Sequence, residues 1–191
     1  MKLRVVAVLL ILGGPWMTAS TVSARTQAAG NPAIWIDVPF AAQTKDGCGS
    51  ASIAMVMQYW ENKQGQPVAA EANPLTIQAA LFSRSAGGIY ASSMQQYLRQ
   101  SGYRAFIFQG QWSDLQHHLA LGRPLIVMLK ASGPLGPLHY VVVVGIDSQR
   151  GHVFLNDPAQ QKMLRISREG FESEWSYTHH WTLLAVPQTG H

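Results

Sequence analysis

Residues 140–146, Tyr-Val-Val-Val-Val-Gly-Ile, form an almost wholly apolar run. A strand that lacks polar alternation must be covered on both faces. The run therefore predicts a central sheet strand with a layer on either side. Its neighbours extend the sheet. Leu125–Leu129, His152–Leu155, Met163–Ile166 and Trp181–Val186 read as strands, and Asp147–Gly151 reads as the hairpin turn after the central one. The first half of the chain has a different period. In Cys48–Glu61 the residues Ile53, Val56, Met57 and Trp60 recur at helical spacing. A short helix is expected over Leu75–Phe82. Another, capped by Ser92 or Ser93, runs to Gln100 and stops at Gly102. Tyr103–Phe108 alternates as a strand. A helix capped by Ser113 runs through Leu121 to Gly122, and Ser167–Trp175 reads as a last short helix. Ala33–Phe40 reads as an extended entry segment held at an edge by Pro39, and Gln43–Gly47 as a polar turn. Helices come early and strands late, which is the α+β pattern: an N-terminal helical part packed on a C-terminal antiparallel sheet. Trp35, Trp60, Trp112, Trp175 and Trp181 read as core or core edge.

Composition narrows the classes of function. The chain has 191 residues, one domain's worth, with 13% charged and 47% apolar residues, which excludes disorder as its main state. The net charge is +4, falling to +2 without residues 1–24, which carry Lys2 and Arg4 and no acid. That balance is too mild to argue for nucleic acid or a membrane surface as partner. A single cysteine, Cys48, excludes a disulfide framework or a cysteine-based structural zinc site within one chain. No cofactor or metal is called for. His117-His118 and His179-His180 lack the spacing of a ligand set.

The N-terminus reads as an address. Positive charge in Met1–Arg4, an apolar run over Val5–Leu12, a break at Gly13-Gly14-Pro15 and small residues at Val22-Ser23-Ala24 make the layout of a secretory signal peptide. The run is too short to span a bilayer, so no stable membrane span is expected after cleavage near Ala24. The expected organisation is a signal over residues 1–24, a flexible leader over 25–35, a folded domain over 36–186 and a tail over 187–191. The mature chain is then secreted or periplasmic. A lone thiol in an oxidising compartment is worth singling out as reactive.

Cys48 is placed where a turn enters a helix. Free N–H groups and the dipole at a helix N-terminus favour a thiolate there. Gly47 and Gly49 keep side chains away from the sulfur. A thiolate nucleophile needs a base, and the base needs an orienting acceptor. His139 opens the central strand, and Asp157 ends the next one. A hairpin between the two strands makes these residues neighbours. His152 sits beside the turn, at the opposite end of its strand from Asp157, and is a poorer base. Gln43, five residues before Cys48, carries an amide able to donate to an oxyanion together with the Cys48 backbone N–H.

The segments Val38-Pro-Phe-Ala-Ala-Gln43, Cys48-Gly-Ser-Ala-Ser-Ile-Ala-Met55 and His139-Tyr-Val-Val-Val-Val-Gly-Ile-Asp147 together resemble the peptidase C39-like family. The likeness extends over about residues 36–186. It implies a papain-like fold and a Gln, Cys, His, Asp site in that chain order. Carried over, Cys48 is the nucleophile, His139 the base, Asp157 the orienter and Gln43 the oxyanion donor. The best-known members are fused to an ABC transporter and cleave double-glycine leader peptides. This chain matches a stand-alone type, and Gly47 stands where many relatives have Asp. Leader-peptide specificity is therefore not implied. The expected activity is hydrolysis of a peptide bond in a peptide or protein substrate. The same site is compatible with acyl transfer, with cell-wall amide hydrolysis, or with a silent peptide-binding module. Nothing in the sequence bears on oligomeric state.

Overall fold

The computed structural model describes residues 33–188, so the signal-like segment and residues 189–191 lie outside the described residues. Seven strands are described: β1 (Ile34–Trp35), β2 (Tyr103–Gln109), β3 (Leu125–Lys130), β4 (Leu138–Asp147), β5 (His152–Asn156), β6 (Leu164–Ser167) and β7 (Trp181–Pro187). They form one antiparallel sheet, six of them in the order β2-β7-β3-β4-β5-β6 and β1 paired with β4 off that path. The run at 140–146 is its centre, and Val141–Val144 are fully buried.

Among the described residues five α-helices flank the sheet: α1 (Cys48–Lys63), α2 (Pro74–Leu81), α3 (Ala91–Gln100), α4 (Trp112–Ala120) and α5 (Arg168–Ser176). Alternate residues of β4 face opposite layers. Tyr140, Val142 and Val144 join Ile53, Met57 and Trp60 of α1, with Met94 and Leu98 of α3. Val141 and Val143 join Leu115 and Leu119 of α4, with Phe171 and Trp175 of α5. Helices thus cover both faces, and the early-helix, late-strand reading is refined on two counts. A late helix, α5, supplies half of the second layer, and β2 from the first half of the chain forms a sheet edge.

Differences at element ends have local causes. Tyr90, not a serine, precedes α3, and Ser92 and Ser93 lie inside its first turn. Gln111 precedes α4, where its N–H donates to Asp114 Oδ2 at 2.8 Å, so an acid in the first turn takes the role expected of Ser113. Gly102 and Gly122 follow the two helices at φ +85 and +66, a conformation that costs glycine little. The entry segment does not lie at the sheet's outer edge. Trp35 pairs with Gly145 and Ile34 with Ile146, continuing along β4 where β3 leaves off at Val143. A Cβ on Gly145 would stand 2.8 Å from the Ile34 carbonyl oxygen, so only glycine admits this approach. Trp35 is 61% exposed, contrary to its expected place at the core edge, because this short strand turns it outward. The segment then crosses to the α1 side, where the buried Asn156 side chain donates to the Val38 carbonyl at 3.1 Å.

Candidate active site

Cys48 is the first residue of α1. No side chain caps this helix, and the first backbone bond runs from Ala51 N–H to Gly47 O, so the amides of its first turn point free. His139 is the second residue of β4, and Asp157 directly follows β5. The β4–β5 hairpin pairs Val142 with Asn156 and brings the start of one strand beside the end of the other. His139 Nε2 lies 2.7 Å from Asp157 Oδ1. The same imidazole acts on the Cys48 thiol, lowering the thiol while the sulfur helps to raise the ring. Thiol, imidazole and carboxylate thus adjoin in one cleft, while His152 pairs with Asp147 and Ser167 at the far end of β5.

The chain is electrostatically matched. Burial pushes the Cys48 thiol up, but the His139 hydrogen bond, the Tyr140 and Gly49 N–H groups and the imidazole charge outweigh it, leaving the thiol below its ordinary value. Burial pushes His139 down, yet Asp157 and Cys48 raise it to about 9. Burial also raises Asp157, and the hydrogen bond and charge of His139 with donors from Ala159 and Gln160 leave it below the usual carboxylate range. The His139 and Asp157 side chains are 16% and 6% exposed, so water screens the pair weakly. The arrangement favours thiolate and imidazolium together.

Gln43 lines the same cleft. Its backbone N–H donates to Pro158 O at 2.9 Å, which ties it to the strand end carrying Asp157. Its side-chain oxygen is buried without a partner, so the carboxamide is uncommitted. Asp46, at φ +56, sits in the intervening turn. All four expected residues therefore meet in one cleft of about 720 Å³. One wall is the loop of residues 131–137, closed by Ala131 N–H to Pro137 O at 3.3 Å and Gly136 N–H to Gly133 O at 3.0 Å. The glycines beside Cys48 have a packing role that the sequence did not show. A Cβ on Gly49 would press on Ile89 and Tyr140, and one on Gly47 on Thr44, so their smallness also serves close packing of the helix start.

Sequence reasoning missed the groups that hold Asp157. Gln160 Nε2 donates to Asp157 Oδ2 at 2.6 Å, and Ala159 N–H to Oδ1 at 2.9 Å. The signal was present. An Asp that accepts from the backbone two residues on is a turn former, and here the turn and the His139 contact share one side chain. It also missed the Tyr140 N–H, which lies opposite the thiol only because α1 packs on β4.

Helices on both faces of an antiparallel sheet, with a helix-start cysteine against a strand-start histidine, define a papain-like cysteine peptidase fold. The Peptidase_C39 like family matches residues 35–182, and the chain belongs to that family. Solved structures agree in fold. A putative C39-like peptidase from Bacillus anthracis aligns at TM-score 0.67 and 18% identity, over 84% of this chain and 100% of the other. A double glycine motif protease from an AMS/PCAT transporter, in complex with the leader peptide, gives 0.60 and 22%, over 81% and 94%. Xylellain, a cysteine protease from Xylella fastidiosa, gives 0.56 and 13%, over 83% and 87%. Comparison with curated proteins finds no match.

Proposed function

We propose that this protein is an exported cysteine peptidase that hydrolyses a peptide bond at Cys48. The observation that carries the reading is the thiol–imidazole–carboxylate chain in an open cleft, with 2.7 Å between His139 and Asp157. A structural cysteine would need neither a raised imidazole nor an acid to hold it. The fold relative bound to its leader peptide supports a peptide as the ligand class.

In the first step the Cys48 thiolate attacks the scissile carbonyl carbon and a C–S bond forms. The resulting oxyanion accepts from the Cys48 backbone N–H and from the Gln43 carboxamide. Imidazolium His139 gives its proton to the leaving amine as the C–N bond breaks. Neutral His139 then takes a proton from water. The hydroxide oxygen attacks the thioester, and the product acid leaves as Cys48 returns to thiolate. Asp157 holds the ring and its charge throughout.

Two measurements test the reading. Cys48→Ala should lose all turnover on any peptide that the parent cleaves, and retained hydrolysis would sink the mechanism. Iodoacetamide labelling should show a reactivity midpoint well below about 8.5, the free-thiol value. Export rests on the signal-like layout of residues 1–24. N-terminal sequencing of the protein from its producing cell should begin near Arg25, and a start at Met1 would overturn it.

A further inference from the structure

The cleft has a second end that the reaction does not use. Leu129 pairs with His139 across β3 and β4, so the two side chains share a sheet face. Leu155 faces Leu164 across β5 and β6, and Leu155 and Leu129 belong to the layer that α5 covers. With Ile166 they give the cleft an apolar floor leading away from His139. Glu174 lines this end from α5, one turn after Gly170, where the missing side chain leaves the wall open. Glu174 is half-buried, and among the described residues its carboxylate accepts only the long 3.4 Å bond from Ser132 N–H. Among the described residues no lysine, arginine or histidine pairs with it.

A separate observation points the same way. The carboxylates in the cleft are Asp46, Asp157 and Glu174, no lysine or arginine lines it, and Asp157 is committed to His139. The chain as a whole carries +4, so the cleft has the opposite sign to the protein. A concave site of one sign raises the local concentration of ligands of the other. An apolar floor that ends in an unpaired acid suits a side chain with an aliphatic stem and a cationic head.

We propose that this end of the cleft is a specificity pocket for a lysine or arginine of the peptide substrate. The stem lies on Leu129, Leu155, Leu164 and Ile166, and the cation reaches Glu174. The proposal rests on the peptidase reading for its substrate class. The test is a positional-scanning fluorogenic peptide library cleaved by the full chain. Alongside it, anisotropy follows labelled peptides carrying lysine, norleucine or glutamate at the selected position as they bind the Cys48→Ala variant. Lysine and arginine should exceed norleucine by about tenfold at one position, with glutamate disfavoured. Glu174→Gln still offers an oxygen to Ser132 N–H, so the loop keeps its anchor while the charge is gone. In that variant the lysine-to-norleucine ratio should fall to about one. A library cleaved without cationic preference, or a preference that survives Glu174→Gln, overturns the pocket. If no peptide is cleaved at all, the peptidase reading falls, and anisotropy with lysine, norleucine or glutamate placed at each position of the peptide in turn still decides the role of Glu174.

Discussion

At Cys48 burial and hydrogen bonding oppose each other, and the hydrogen bonds prevail. The sign of the pH dependence follows. The thiolate–imidazolium form is populated above the lowered thiol value and below about 9, where His139 loses its proton. The kcat/KM profile should therefore rise at a pH below the free-thiol range and fall near about 9. Asp157→Asn removes the charge that raises His139. The falling limb should move down by about 1–2 pH units while the thiol rises, which narrows the plateau from both sides. An unchanged alkaline limb would show that Asp157 does not tune the imidazole. Gln160→Ala removes one donor from Asp157 at an exposed position. It should cost about threefold to tenfold in kcat/KM with little change in melting temperature. The cluster of Cys48, His139 and Asp157 was legible because thiol, imidazole and carboxylate are chemically distinctive. Gln160 was not, because a glutamine in a polar turn looks like any other.

Among the elements, the apolar body of β4 was readable and the helix caps were not. Burial on both faces leaves a continuous apolar signature along a strand, whereas a cap depends on which side chain happens to reach the first free amide. Ser92, Ser93 and Ser113 are good cap formers that lie one or two residues inside the observed helix starts. Position 145 gives the element-scale prediction. A side chain there meets the Ile34 carbonyl and the Trp35 Cβ at 2.8 Å, so Gly145→Val should lift β1 from β4. The expected loss is about 1–3 kcal/mol in urea unfolding. A variant as stable as the parent would mean that β1 contributes little to the sheet.

For the whole molecule, the same shifted groups couple activity to stability. His139 is raised, so its contribution is full below the ordinary histidine value and is lost as pH climbs through about 9. Asp157 is depressed, so its contribution is full above the ordinary carboxylate value and is lost as pH falls through its folded value. Unfolding free energy should decline on both sides of a neutral plateau. Cys48→Ala removes one of the two partners that raise His139, so its alkaline decline should begin at lower pH than in the parent. Urea midpoints across pH 5–10 check this, and coincident curves would show that thiol and imidazole are not coupled.

The sequence alone determined the strand core and the α+β class, and it pointed to Cys48, His139 and Asp157 as residues that the fold brings into one cleft. Periodicity and residue chemistry are local, and a hairpin carries His139 to Asp157 by local connection. Tertiary structure decided the rest. Gln43 joins the site through Pro158, Gly49 exists for Ile89 and Tyr140, and Glu174 reaches the cleft from a helix that follows β6. These contacts join residues tens of positions apart in the chain. They depend on how layers pack across the sheet, which no local pattern encodes.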